Sequence, residues 1–185
     1  MDLLTILLIS VGLAMDAFAV CLSVGTRPST KRRDILRLSW HFGVFQGLMT
    51  FLGWLGGSLV ATFIANIDHW LIFALLGWVG GRMIYSGFSG KEESFGGDPA
   101  HGGMMVALSL ATSLDALAVG FSLAMLKGSI LLSSLIIAFV TFVISLGGGL
   151  AGNGLGERFG KRMEILGGIV LIGIGLRVLI THLLG

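Results

Sequence analysis

The sequence predicts an all-α integral membrane protein with six transmembrane helices, arranged as two inverted three-helix repeats. Three observations carry this prediction: an apolar composition, six apolar runs of membrane-spanning length, and a short phrase in the first run that returns in the fourth. Hydrophobic residues make up 55% of the 185 residues and charged residues only 12%. Because an ordinary soluble domain carries about twice that charged fraction, this chain has too little polar surface to cover a soluble fold.

The six runs are each long enough to cross a bilayer, which takes about 20 residues as a helix. They cover residues 3–25, 40–64, 70–88, 104–126, 130–152 and 163–184, and the clearest hydrophilic segments between them cover 27–37, 91–102 and 156–162. Most Lys and Arg residues follow the odd-numbered runs, with Arg27, Lys31, Arg32, Arg33 and Arg37 in the first connection. By the positive-inside rule these connections are cytoplasmic, so both termini are expected outside.

An internal repeat relates the two halves of the chain. Asp16-Ala17-Phe18-Ala19-Val20 is matched 99 residues later by Asp115-Ala116-Leu117-Ala118-Val119, and the glycine-containing segments 55–57 and 150–152 align at an offset of 95. The predicted units are residues 1–90, a cytoplasmic linker at 91–102, and residues 103–185. Three spans per unit is an odd number, so the two units cross in opposite senses, as in many secondary transporters.

Two aspartates, Asp16 and Asp115, lie near the middle of runs that otherwise carry no charge. A carboxylate at the bilayer centre costs at least roughly 2.5–3.5 kcal/mol, so intramembrane acids usually mark an ion or proton pathway. Each aspartate shares its helix face with small residues, namely Gly12, Ala19 and Ser23 in the first run and Ala111, Ala118 and Ser122 in the fourth. We therefore expect the first and fourth helices to pack face to face and bring the carboxylates together. The alternative is that each aspartate only bonds a neighbouring helix.

A pair of carboxylates predicts a site for a hard divalent cation, because Mg²⁺, Ca²⁺ and Mn²⁺ prefer oxygen ligands. The four histidines fall near span ends or in connections. Candidates for further ligands or pathway-lining groups are Ser23, Ser122, Gln46, Thr112 and Glu164, together with Ser113 and Thr141. For the hydroxyls, bonding to their own helix is the stronger alternative. For Glu164, the stronger alternative is that it is an interfacial charged residue whose carboxylate reaches the water.

Several classes of function are disfavoured by the sequence. A single cysteine and no CxxC or Cys/His spacing argue against a structural zinc site. No Walker motif or phosphate-binding glycine loop is present, which argues against ATP hydrolysis. The net charge of +2 is explained by topology, so we expect no nucleic-acid partner. We expect that the chain is not an enzyme and needs no cofactor. Whether it forms a homo-oligomer is left open by the sequence.

At these residues the chain resembles the manganese efflux pump family, MntP, of bacterial inner membranes. The likeness covers the two aspartate phrases, Phe42-Gly43-Val44-Phe45-Gln46-Gly47, Asp68-His69-Trp70 and Glu164-Ile165-Leu166-Gly167-Gly168-Ile169. It implies a multi-pass protein that exports Mn²⁺ as its substrate, with kinship to the LysE-type exporters. The family's paired intramembrane aspartates fall on Asp16 and Asp115. The choice of Mn²⁺ comes from the resemblance, since the residues themselves indicate only a divalent cation.

The mechanism we expect is proton-coupled alternating access, in which Mn²⁺ displaces protons from the two carboxylates and the carrier works as an antiporter. One rival is a LysE-type exporter of another small solute or divalent cation. If the solute is an amino acid, this rival is disfavoured, because the midplane carries two acids and no base for the carboxylate of the amino acid. A second rival is an intramembrane aspartyl enzyme. It would be distinguished from a transporter by substrate turnover without movement of a solute across the membrane. A third is an assembly subunit, in which both aspartates are replaceable by asparagine.

Overall fold

The structure is a computed structural model that describes residues 3–27, 30–64, 68–89, 99–126 and 129–184. Within these residues the chain is all-helical and forms five helices. They are α1 (Leu3–Gly25), α2 (Arg32–Ile64), α3 (Asp68–Ser89), α4 (Gly102–Met125) and α5 (Ile130–Leu184). The linker 91–102 lies outside the described residues except for its last four. The predicted helical character of the apolar runs is confirmed.

The helices agree with the predicted runs to within about two residues at α1, α3 and α4. Helix α2 begins at Arg32, eight residues before the start expected at residue 40. The reason is local: the Lys31 backbone N–H donates to Asp34 Oδ2 at 3.0 Å, and this bond satisfies a donor that a helix start leaves open. The helix therefore extends through the basic segment instead of starting after it.

Four segments are long and apolar enough to cross a membrane, counting only the described residues: Leu3–Gly25, Arg32–Leu59, Gly102–Met125 and Ile130–Gly152. Ile165–Arg177 is apolar but shorter. The chain is a multi-pass membrane protein.

Helix α5 is 55 residues long and contains the last two predicted runs together with the hydrophilic segment 156–162 between them. It is not straight. Gly148 lies against Phe18 of α1 and Gly167 lies against Gly12, only six residues earlier in α1. A straight helix separates residues 148 and 167 by about 28 Å, whereas six residues of α1 span about 9 Å. The helix therefore folds back between these two positions.

The closest helix contacts occur in matched pairs. Helix α1 packs most extensively on α5, and α4 packs on α2. Gly148 contacts Phe18 and Gly53 contacts Leu117, while Gly152 contacts Leu22 and Gly57 contacts Phe121. Within each pair the residues of α1 and α4 differ by 99 positions and those of α2 and α5 by 95.

Hydroxyl groups repeat in the same way. Ser10 Oγ donates to the Ile6 carbonyl and Ser109 Oγ to the Met105 carbonyl. One such bond also lies on each of α2 and α5, where Thr50 donates to the Gln46 carbonyl and Ser145 to the Thr141 carbonyl. Each of these hydroxyls is buried and is satisfied by the carbonyl four residues earlier.

Candidate functional site

Asp16 and Asp115 each lie in the interior of a helix, as the sequence predicts. Asp115 is buried, with 7% of its surface exposed, and Asp16 is half-buried with its Oδ1 atom inside the protein. Each aspartate is followed directly by a completely buried alanine, Ala17 after Asp16 and Ala116 after Asp115. The two carboxylates are therefore held within the helix bundle, away from the helix ends.

The expected face-to-face packing of α1 and α4 is wrong. Those two helices make few direct contacts and instead share apolar clusters. Gly12, the small residue one helical turn before Asp16, faces α5: it lies against Leu171 and Gly167, and Gly167 also meets Met15. Small residues allow a close approach but do not name the partner helix. The proximity of the two carboxylates stays a prediction.

Gln46 joins α2 to α1 close to Asp16. Its side chain is completely buried, and its Nε2 atom donates to the Leu13 carbonyl at 3.3 Å. Leu13 precedes Asp16 by three residues, less than one helical turn. The Gln46 Oε1 atom is also buried and has no hydrogen-bond partner among the residues that the structure describes. An amide oxygen in this position can accept a hydrogen bond or bind a hard cation.

Thr141 provides a second buried oxygen of this kind. It is 0% exposed, and its Oγ1 atom has no hydrogen-bond partner in the described part of the chain. Thr141 follows Gln46 by 95 positions, the offset that also relates the glycine contacts of α2 and α5. The two side chains thus occupy corresponding places in the two halves.

Most of the other predicted hydroxyls bond to their own helix. Thr112 donates to the Leu108 carbonyl at 3.0 Å, Ser113 to Leu110 at 3.1 Å and Ser122 to Ala118 at 3.1 Å. The expectation of helix bonding is confirmed for these three. Ser23 is half-buried, and its carbonyl accepts from Thr26 Oγ1. Glu164 lies in α5, but its side chain is outside the described residues, so its role stays a prediction.

No histidine joins this set in the described structure. His41 Nδ1 lies 2.9 Å from the Arg37 carbonyl, and His101 is exposed beside Asp34. His69 and His182 have side chains outside the described residues. Among the residues that are described, no three of His, Cys, Asp and Glu cluster where they could hold a metal. Among the described side chains, the candidate oxygens inside the bundle are therefore those of the two aspartates and of neutral groups.

Sequence reasoning missed Ser134. This side chain is buried, and its Oγ atom has no hydrogen-bond partner among the described residues. Its counterpart 95 positions earlier, Ser39, has its Oγ 3.7 Å from the Cys21 sulfur. The residue that corresponds to Cys21 in α4 is Gly120, which has no side chain to offer. The offset of 95 was the signal that could have found Ser134.

Comparison with known proteins finds relatives over the whole chain. Residues 29–179 match the family described as "Putative manganese efflux pump". A protein of Geobacter sp. (strain M21) named "Putative manganese efflux pump MntP" is 51% identical over 186 residues, with 100% of this chain and 99% of that protein covered. Proteins of the same name from Syntrophotalea carbinolica and Methanosarcina barkeri are 46% and 45% identical, and both cover 100% of this chain. They are themselves covered to 100% and 99%. No solved structure was found to match.

Proposed function

The chain belongs to the MntP family of manganese efflux pumps, and on this premise we propose that it exports Mn²⁺ from the cytoplasm across the bacterial inner membrane. The observation that carries the proposal is the pair of carboxylates inside the helix bundle, at corresponding places of α1 and α4, in a chain whose full-length relatives are named for manganese efflux. Carboxylate oxygens suit Mn²⁺, a hard divalent ion.

The proposed architecture is six crossings in two inverted repeats, residues 1–90 and 103–185. The matched contacts of α1 with α5 and of α4 with α2 support it, as does the fold-back of α5. Helices α2 and α5 also run antiparallel where they meet, since Gly43 lies against Phe142 and Gly47 against Ser134. Corresponding helices that run in opposite directions are what an inverted repeat requires. In this proposal both termini lie outside, which the basic connections support through the positive-inside rule.

Asp16 and Asp115 form the transport site in this proposal. The cation enters from the cytoplasm, displaces protons from the carboxylates and leaves on the outer side, where the carboxylates take up protons again. Exchange of two protons for one Mn²⁺ keeps the charge of the buried site constant, so no uncompensated charge has to stay in the low-dielectric interior.

The first test measures intracellular manganese and growth in Mn²⁺ in an exporter-deficient bacterial strain. The strain carries wild type, Asp16→Asn or Asp115→Asn at matched expression, with Asp34→Asn as a control aspartate outside the bundle interior. We expect wild type and Asp34→Asn to lower cell manganese and both intramembrane variants to fail. Normal export by either intramembrane variant contradicts the carboxylate site, and an inactive wild type contradicts the cargo.

The proton part has a separate test in proteoliposomes that contain the purified protein. An imposed pH gradient is expected to drive Mn²⁺ toward the side from which protons leave. Transport that follows only the Mn²⁺ gradient, at the same rate with and without a pH gradient, removes proton coupling and leaves the export proposal in place.

A further inference from the structure

Two side chains that are 0% exposed stand out at the crossing of α2 and α5, because Oε1 of Gln46 and Oγ1 of Thr141 have no hydrogen-bond partner among the described residues. We propose that these neutral oxygens line the path of the exported cation, one on each side of the crossing, and select hard divalent ions over soft ones. The proposal rests on the proposed function and deepens it, because it names groups that decide which metal passes.

The crossing brings the two backbones very close together. A Cβ atom added at Gly43 would lie 2.7 Å from the Ala138 carbonyl oxygen, and one added at Gly47 would lie 2.9 Å from the Ala138 Cβ. Gln46 follows Gly43 by three residues, and Thr141 follows Ala138 by three. Because the helices are antiparallel here, the two side chains lie on opposite sides of the contact along the bundle. In the proposed path, a cation that crosses the bundle at this level passes both side chains.

Within the described residues, the two unbonded oxygens differ from the nearest hydroxyls, which are hydrogen-bonded. Thr50 and Ser145, one turn further along the same helices, are also 0% exposed, yet each donates to the carbonyl four residues earlier. A threonine inside a helix can form the same bond, and Thr112 does so. An oxygen left open in a buried place is costly unless a donor or a cation meets it.

The chemistry of the two groups fits a selecting role. Manganese prefers about six oxygen ligands, and two carboxylates supply at most four. An amide oxygen and a hydroxyl add ligands without adding charge. The two positive charges of the divalent ion are therefore still balanced by the two carboxylates. Both are hard ligands, whereas sulfur ligands favour softer ions such as Cd²⁺, Zn²⁺ and Cu⁺. Exchange of oxygen for sulfur at either position is therefore expected to change which metal is carried.

The test uses full-length protein in proteoliposomes and measures the rates of Mn²⁺ and Cd²⁺ transport for wild type, Thr141→Cys and Gln46→Met. Ser145→Cys is the matched control, because it places a thiol on the same helix, in an equally buried position whose hydroxyl is already bonded. We expect the ratio of Cd²⁺ to Mn²⁺ transport to rise by about tenfold or more in the first two variants and to stay at the wild-type value in the control.

The outcomes separate the inference from the proposed function. Mn²⁺ export with an unchanged metal ratio in both sulfur variants overturns the inference and leaves the proposed function standing; an ordered water that merely satisfies the two oxygens predicts this result. A ratio that rises equally in Ser145→Cys indicates a loosened bundle and also overturns it. A wild type that moves no Mn²⁺ removes the proposed function, and the inference falls with it.

A sulfur variant that fails to fold is replaced by a pair that tests the oxygen alone. Thr141→Ser keeps the hydroxyl, and Thr141→Val keeps the branched shape without it. Their Mn²⁺ affinities are measured on purified protein by the paramagnetic resonance signal of free Mn²⁺. Weaker binding by about tenfold in Thr141→Val than in Thr141→Ser supports the inference, and equal affinities overturn it.

Discussion

The side-chain amide of Gln46 donates to the backbone carbonyl of Leu13 at 3.3 Å and thereby ties α2 to α1 three residues before Asp16. This link is long-range, because 33 positions separate the two residues, and both partners are buried. The bond fixes the axial position of α2 along α1, the helix that carries Asp16. A substitution of Gln46 therefore changes the surroundings of Asp16, either by removing this hydrogen bond or by removing the amide oxygen.

Replacement of Gln46 by leucine is expected to lower Mn²⁺ export strongly while it changes stability little. The variant loses one hydrogen bond, worth about 1 kcal/mol, but it also removes a buried oxygen that has no partner in the described structure, and the two effects oppose each other. The free energy of unfolding should stay within about 1 kcal/mol of wild type. Export is measured from cell manganese and stability by unfolding of the purified protein in detergent.

Thr50→Val is the control for this experiment, since the Thr50 hydroxyl is buried and bonds only the Gln46 carbonyl in the described structure. It should keep export near the wild-type rate. A Gln46→Leu protein that is stable and exports normally shows that this amide is not needed by the cation.

Two neighbouring glycines of α5 provide a matched pair for the helix contacts. A Cβ at Gly148 would lie 2.7 Å from the Phe18 ring and 2.9 Å from its carbonyl oxygen, whereas a Cβ at Gly147 would meet nothing within 4 Å. Gly148→Ala is therefore expected to lower the free energy of unfolding by roughly 1–3 kcal/mol. Gly147→Ala should be neutral or slightly stabilising, because alanine favours the helix. Equal stabilities of the two variants, measured by thermal unfolding in detergent, contradict the close contact with Phe18.

The other half of the chain offers the corresponding pair. A Cβ at Gly57 would lie 2.8 Å from the Ala124 Cβ and from the Phe121 carbonyl oxygen, while Gly56 is open. Gly57→Ala is expected to destabilise by a similar roughly 1–3 kcal/mol and Gly56→Ala to have little effect. If the two halves are built alike, Gly57→Ala and Gly152→Ala should cost similar amounts. A large cost at only one of them indicates that the halves pack differently.

The sequence predicted most of the helices because apolar length in a membrane protein is set by the bilayer. It also placed Asp16 and Asp115 inside helices and foresaw the helix bonds of Thr112, Ser113 and Ser122. These features depend on residues close together in the chain. The internal offsets of 99 and 95, read from the sequence alone, also match contacts that the structure forms.

Tertiary choices were harder to predict. The small residues around Asp16 led us to expect α4 as the neighbouring helix, but Gly12 lies against Gly167 and Leu171 of α5. A small side chain leaves room for any helix, so its pattern carries no information on the partner. The early start of α2 depends on one bond from Lys31 to Asp34, which apolar periodicity does not register. That the Thr141 hydroxyl has no partner among the described residues follows from packing, since its sequence neighbours resemble those of any helical threonine.

Asp34 gives a prediction outside the bundle interior. Its Oδ2 accepts from the Lys31 N–H at the start of α2, and its Oδ1 lies 3.8 Å from Nε2 of the exposed His101. Asp34→Ala removes the helix-start bond and is expected to cost about 0.5–2 kcal/mol in the free energy of unfolding. The contact with His101 is partly exposed and should contribute little, so His101→Ala should be close to neutral. A larger loss from His101→Ala than from Asp34→Ala contradicts this ranking.

Cys21 is the single cysteine, and only 1% of its surface is exposed, beside Ser39 and within the apolar cluster formed with Val20 and Phe42. A water-soluble maleimide is therefore expected to modify the folded protein at a rate far below that of the unfolded chain, because the thiol has to reach solvent before it reacts. Labelling is followed by mass increase across a denaturant series, and the labelled fraction should rise together with loss of helical signal. A Ser39→Gly variant, which opens space beside the sulfur, should label faster under native conditions. Rapid modification of the native wild type contradicts the packing of α1 against α2 at this position.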